Sequence, residues 1–510
     1  MVGFASVPAS DIRLTRRGLV AVGGVALGSL LAARSPARAA ALLGTATPPV
    51  SARAPYRSRP DLNPPPITIS IPADGTAPGY VFLSPFDITA ATGTAQAVPA
   101  SKSHVGPLIV DSTGEPVWFL PLGKDTAMGL RVQEFNGKRV LTWYEGTVLG
   151  AYGGNYVVFD DTYHRLALVE AGGGRHGDLH EFLLTPAHTA LITIYQEITA
   201  DLTSVGGAVN GRLVEGIVQE VDIATGRVLF DWRSFDHVGL DESFQTQVTA
   251  AGNVDYFHLN SVDVDRDGNL LVSARHTSAV YKVDRRTGAV IWRLGGKKSD
   301  WHIDPAASFA FQHDVRRRPD GSITLFDNNA ALPGPAVASR GIRIALHGGT
   351  KRVSLVEQWS PTARRAGWAM GNVQQLDDGG VFIGWGTDGT FSEFGPDGKL
   401  RFDARFGDGS VGYRAYRLNW HAQPTGTPSI AVVPGDAGTM TVYASWNGAT
   451  GVARWEVRTG TRPDTLQPVG ANSRTGFETA IIVPLAHGYA TAVALDAQDR
   501  RLGEAAPVAV

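Results

Sequence analysis

The apolar and polar positions of this chain alternate in short runs, and the runs come in pairs. An apolar segment leads to an acidic residue and a turn, then to a second apolar segment that often ends in tryptophan. The pattern reads LIVDSTGEPVWF around Gly114, YVVFDDTYHRLALV around Thr162, IVQEVDIATGRVLFDW around Gly226 and VYKVDRRTGAVIWRL around Gly288. Looser copies are IRIALHGGTKRVSLVEQW around Gly349 and FSEFGPDGKLRFDARF around Gly398, so six copies recur about 57 residues apart. Between them lies a second hairpin unit: EFNGKRVLTWYEG (134–146), FLLTPAHTALITIYQE (182–197), DVDRDGNLLVSAR (263–275), DVRRRPDGSITLFDN (314–328) and QLDDGGVFIGWG (375–386). Alternation bounded by Asp-Gly or Gly-Gly marks half-buried antiparallel strands. Two hairpins per unit make four strands, and six units predict an all-β chain with a six-bladed β-propeller over residues 81–424. An array of β-sandwiches is the alternative, and it leaves unexplained why polar residues recur in register with the repeat.

The flanks read differently. Residues 425–510, with TPSIAVV, MTVYASWNGATGVARWEV and FETAIIVPLAHGYATAVAL, predict a small β-sandwich resembling fibronectin type III. Residues 40–80 are Pro-rich (SRPDLNPPPITIS) and predict a leader with an entry strand. Before them, Thr15-Arg16-Arg17-Gly18-Leu19 opens a Gly- and Ala-rich apolar run (18–33) that ends near Ala37-Arg38-Ala39. A twin arginine, a short apolar run and an A-x-A site describe a twin-arginine export signal over 1–39, cleaved after Ala39. The run falls short of the roughly 20 residues a bilayer span needs. The mature protein is therefore expected outside the cytoplasm, without a membrane span.

Composition narrows the chemistry. Lys+Arg of 46 against Asp+Glu of 48 gives no global field for nucleic acid. The absence of cysteine excludes disulfides, thiolate catalysis, iron–sulfur clusters and cysteine-ligated zinc.

Candidate chemistry sits in the repeat register. His313 lies eight residues before Gly321, Asn260 eight before Gly268, and His180 eight before His188, which takes the turn position of its unit. His258 precedes Asn260 by two residues, the strand period that returns to one face, and Arg275 closes the following strand. An isolated histidine is ordinarily a surface or capping residue, and His104, His164, His237, His302, His347 and His487 are read that way. The shared register sets His180, His258 and His313 apart; His176, His188 and His276 lie beside them. Arg316, Arg317 and Arg318 read as a solvated turn. Trp143, Tyr144, Tyr195, Trp385 and Trp420 are candidates for an aromatic wall, or for packing between blades.

Three imidazoles could ligate a metal, but a guanidinium beside them would repel a cation, and no metal or other cofactor is expected. A buried arginine at a channel mouth more often meets an anion. The remaining reading is covalent transfer: a neutral histidine attacks, and the other side chains stabilise charge on a small anionic group.

FHLNSVD followed by LLVSAR, then FQHDVRRRPDGSITLFDN, resembles the arylsulfotransferase family, and NWHAQPTGTP with VYASWNGAT looks like its actinobacterial and fungal branch. The resemblance covers roughly residues 56–500. It implies a propeller enzyme that moves a sulfuryl group from an aryl sulfate donor to a phenolic or other hydroxyl acceptor, without phosphoadenosine phosphosulfate. Carried over by motif, His313 in QHD would become sulfated, His258 in FHLN and Arg275 in SAR would hold sulfuryl oxygens, and His180 in LHEF would assist. Well-studied members are dimers with an N-terminal β-sandwich and a disulfide. This chain lacks cysteine and carries its extra β domain at the C-terminus, so the resemblance does not fix its oligomeric state. A non-catalytic binding propeller or a His-metal hydrolase or lyase is the alternative, and the TG-x-x-x-W hairpin also resembles quinoprotein repeats.

Overall fold

In the computed structural model, residues 56–88, 103–146, 153–249, 252–330, 338–361 and 365–510 are described; the export-signal stretch 1–39 lies outside them. Among the described residues strands dominate, the helical elements of residues 203–388 are single 3-10 turns, and six four- or five-stranded sheets occupy residues 67–418. Each sheet packs on the next through its inner strands, and the sixth packs back on the first, so the sheets close a ring. In ring order the innermost strands are Val411–Leu418 (blade 1), Thr126–Phe135 (blade 2), Phe182–Leu184 (blade 3), Leu259–Val264 (blade 4), His313–Arg317 (blade 5) and Asn372–Gln375 (blade 6). Closing a sheet array on itself leaves only short outer edges unpaired.

The ring is sealed by chain ends meeting in two sheets. Val411–Leu418 pairs antiparallel with Tyr80–Phe86 to complete blade 1, and Ile67–Ile71 adds an outer strand to blade 6 beside Leu400–Phe406. The second strand of each blade is covered on both faces by its neighbours, so Leu270–Ala274 and Ile323–Asp327 are buried throughout, with Ser273, Thr324 and Asp327 buried among apolar residues. Outermost strands show the opposite pattern: in Arg165–Val169, Leu166 and Leu168 are exposed.

The recurring Thr-Gly turn and tryptophan have a common purpose. In the blade 4 hairpin Thr287 N–H donates to Asp284 Oδ1 and Gly288 takes φ +76°, a conformation that costs other residues more. Trp232 at the end of the blade 3 hairpin then donates its indole N–H to the Gly288 carbonyl at 3.0 Å, fastening one blade to the next.

Residues 429–509 form two further sheets around one apolar core that includes Met440, Val442, Trp455, Val457, Ile481 and Val483. Asn447 fixes this unit to blade 1 through both hydrogen bonds of Phe119.

Candidate active site

The repeat register holds in three dimensions. His188, Gly268 and Gly321 occupy equivalent turns at φ +61°, +82° and +89°, each N–H returning to the carbonyl three residues earlier. Eight residues before each turn, His180, Asn260 and His313 therefore lie at one level of the channel. There the inner strands are irregular: ladders slip between Leu259 and Ser261 and between His313 and Arg316, and His258, Phe311 and Asp314 have φ near +55°. Bulges and left-handed residues re-aim side chains, and they concentrate where function needs them.

Those side chains converge. The His180 ring meets His258 edge-on at 5.2 Å and Tyr413 at 5.4 Å; Tyr413 in turn meets His313 at 6.3 Å and donates to the Asn260 carbonyl. His258 lies 4.4 Å from His276, whose Nε2 accepts from Arg275 at 2.9 Å. His180, His258, Asn260, Arg275 and His313, with His276, are all at most 6 % exposed, so the cluster is closed to solvent. Four buried polar atoms within it, Asp178 Oδ1, Asp255 Oδ1, Asn260 Oδ1 and Arg275 Nε, have no hydrogen-bond partner. Leaving them so costs about 1–3 kcal/mol each, which is tolerable where a polar guest is to be received.

Each histidine is held from behind through Nδ1. His180 Nδ1 donates to Asp178 Oδ2 at 2.6 Å, and the same oxygen accepts from the His180 N–H and the Thr193 hydroxyl. Three donors on one oxygen fix the Asp178 carboxyl behind the His180 ring. His258 shares a proton with Asp255 across 2.5 Å. Burial raises the Asp255 carboxyl and presses the His258 imidazole well down, so that proton can rest on either partner. His313 instead meets an amide, Asn328 Oδ1, at 2.7 Å. Burial, then the Arg275 charge, keeps His313 well below the usual imidazole range. Arg275 itself is drawn down to about 10 by burial.

A short strap from blade 6 covers the cluster. The Met370 N–H (Met370 φ +64°) donates to His313 Nε2 at 3.2 Å, and Arg275 donates to the Trp368 carbonyl at 3.0 Å. Asn328 Nδ2 holds the strap through the Gly367 and Met370 carbonyls. An incoming anion therefore has to displace these backbone groups from the nitrogen and the guanidinium.

One residue further along the same strands lies a different assembly. Glu181, fully buried, accepts from Arg131, Arg316 and Arg414, and Arg414 and Arg316 also face Asp314. Burial alone would raise the Glu181 carboxyl; the three guanidiniums hold it far below its ordinary value. This corrects the reading of Arg316–Arg318 as a solvated turn. Arg316 closes the buried network, Arg317 pairs with Asp265, and Arg318 bonds Thr324 and the Val373 carbonyl.

Among the described residues, Asp255, His258 and His276 have the spacing of metal ligands, their donor atoms lying within 4.8 Å of one another. The hydrogen bonds do not fit a cation. His276 Nδ1 donates to the Asp255 carbonyl, which can only accept, and its Nε2 takes a guanidinium proton. Both ring nitrogens of His276 are committed, and the Arg275 guanidinium stands 2.9 Å from its Nε2, where it would repel a cation.

The remaining sequence candidates separate cleanly. Tyr195 stacks on His180 at 5.1 Å and belongs to the site. Trp143 packs on Trp118 and Phe159, Tyr144 on Tyr156, Trp385 on Phe326, and Trp420 against Tyr163, all as packing between or within blades. His176 and His188 are exposed, as are His104, His164, His302, His347 and His487, while His237 stacks on Trp232. Asp178, Asp255, Asn328 and Tyr413 are the site residues sequence reasoning missed. The first two had a signal, an acidic residue two or three positions before each histidine.

Comparison with known proteins agrees with the family motifs. The model of the arylsulfotransferase (ASST) family matches residues 131–407, which hold the whole histidine and arginine cluster. Among curated proteins none matches this chain. Similar solved structures include a protein of unknown function from Bacteroides caccae (13 % identity, 64 % of this chain and 93 % of that one, TM-score 0.37). Another is a virginiamycin B lyase from Staphylococcus aureus (8 % identity, 75 % and 97 %, TM-score 0.34). With more than half its length matched by that family model, the chain belongs to the arylsulfotransferase family, whose members act on small molecules.

Proposed function

We propose that this protein transfers a sulfuryl group from an aryl sulfate to a phenolic or other hydroxyl acceptor through a covalent intermediate on His313. The observation that carries the reading is a neutral, buried imidazole whose Nε2 accepts a hydrogen bond in the same closed cluster as Arg275. In the first half-reaction the Nε2 lone pair forms a bond to sulfur while the sulfur–oxygen bond to the aryl group breaks. The phenolate leaves with the bonding pair and takes a proton from His180, whose ring Asp178 orients through Nδ1. The product is an N-sulfo imidazolium whose positive ring offsets the negative sulfuryl group.

In the second half-reaction the acceptor hydroxyl gives its proton to His180, its oxygen attacks sulfur, and the nitrogen–sulfur bond breaks. Arg275, and His258 with hydrogen on Nε2 and its Nδ1 accepting from the Asp255 carboxyl, donate to the sulfuryl oxygens as charge spreads over them. Tyr195 and Phe311 offer aromatic faces beside the cluster for the aryl group. Neither nucleotide cofactor nor metal enters this scheme. Export by the twin-arginine route, in the folded state, is part of the proposal, with the C-terminal β unit accessory to catalysis.

The test is a chromogenic aryl sulfate. Colour should develop continuously only with an acceptor phenol present, and His313→Asn should remove it while the far-ultraviolet spectrum stays unchanged. Full activity in that variant would overturn the assignment.

A further inference from the structure

We infer that Asn328 is the positioning residue that fixes which ring nitrogen of His313 carries the proton; the inference rests on His313 being the group that takes up the sulfuryl. The hydrogen bonds leave no freedom. Asn328 Nδ2 reaches two backbone carbonyls, those of Gly367 at 2.6 Å and Met370 at 2.9 Å, and carbonyls only accept. The amide orientation follows, so the atom facing His313 Nδ1 at 2.7 Å is the acceptor Oδ1. His313 Nδ1 must then carry hydrogen, and Nε2 must carry the lone pair. The Met370 N–H donating to Nε2 is the independent check, since it needs that lone pair.

The contrast with its neighbours gives the choice of amide a purpose. Asp178 stands behind His180 and Asp255 behind His258, and a carboxylate can exchange a proton with the ring or stabilise an imidazolium. An amide does neither. It orients His313, keeps it neutral before attack, and does not hold the charged sulfated ring so tightly that transfer to the acceptor stalls. His313 faces Arg275 and His258 from blade 4, His180 from blade 3, Tyr413 from blade 1, the Met370 N–H from blade 6 and Asn328 on its own blade; Asp314, next in sequence, points to Arg316 and Arg414 instead. Of these, Asn328 is the partner of Nδ1, so exchanging its amide for a carboxylate changes the proton count at one atom.

The experiment is nitrogen NMR of the whole protein labelled in its histidine rings, with His313→Asn used to identify the signals. In the unsubstituted protein the His313 ring should show protonated Nδ1 and bare Nε2 across about pH 5 to 8. In Asn328→Asp the doubly protonated ring should appear, and the rate of phenol release should gain an acid limb displaced upward in pH. Asn328→Ala should populate both tautomers and lower that rate about 10- to 100-fold with KM nearly unchanged. A bare Nδ1 in the unsubstituted protein, or an unshifted pH profile in Asn328→Asp, overturns the inference. The nitrogen pattern is read without substrate, so a protein that shows it but is never sulfated at His313 would refute the proposed function and leave the tautomer assignment standing.

Discussion

Two assemblies built from neighbouring residues of the same strands differ in nearly every physical respect. His180, His313 and Tyr413 face the reactive cluster; Glu181, Asp314 and Arg414, each next in sequence, face an ion-paired plug. The slipped ladder between His313 and Arg316, with Asp314 at φ +55°, turns Asp314 away from His313, and Tyr413 and Arg414 both donate to the Asn260 carbonyl where the two assemblies touch. In the plug every charge has a partner: Glu181 meets three guanidiniums. In the cluster the cation is left short of partners, and burial presses the His258, His276 and His313 imidazoles toward the neutral form. A buried charge that is fully paired supports the fold, and one left partly unpaired is available to a ligand.

The sharpest break in that contrast is His313→Ala, which should lower sulfuryl transfer by about 10⁴-fold or more while melting stays close to the parent value. Steady-state rates with a calorimetric scan check both halves. Glu181→Ala is the mirror case. It leaves three buried guanidiniums without their carboxylate and should cost about 3–5 kcal/mol in urea unfolding. Arg275→Ala should cut kcat about 10²- to 10³-fold, with a smaller effect on KM, because its charge is needed chiefly where the sulfuryl oxygens gain charge.

Acid should affect the two assemblies in separate windows. His258, His276 and His313 are held below 6.5 chiefly by burial, so beneath about pH 6.5 the unfolded chain binds protons that the folded one does not. Stability is therefore full above that pH and falls as pH drops through it. Glu181 is depressed, so its contribution persists until pH falls below about 4.5, where the unfolded carboxyl protonates. A melting series should show the first slope shrink in His276→Gln and the second in Glu181→Gln. The smallest effect belongs to the surface: Arg212→Ala, breaking the exposed pair with Glu197, should change stability by no more than about 1 kcal/mol.

Much of this was legible from alternation and turn spacing, because a propeller repeats its local chemistry. The Asp-x-x-Thr-Gly turns mark hairpins, and counting eight residues back from the inner turns places His180, Asn260 and His313 at one level. What periodicity cannot show is which distant segments meet. Tyr413 reaches the site because Val411–Leu418 returns to complete blade 1, and Met370 because the strap crosses from blade 6. Arg316 and Arg317 end the strand His313–Arg317 and Arg318 leads into Pro319-Asp320-Gly321, the local signature of a solvated turn. Their burial depends on Glu181 and Asp265 from other blades.

The central claim is that His313 receives the sulfuryl group, and intact-protein mass spectrometry tests it most directly. After brief exposure to an activated aryl sulfate without acceptor, the protein should gain the mass of one sulfuryl group. The gain should be absent in His313→Ala and lost when phenol is added. A folded protein that releases phenol without ever gaining that mass, or gains it equally without His313, would contradict the account.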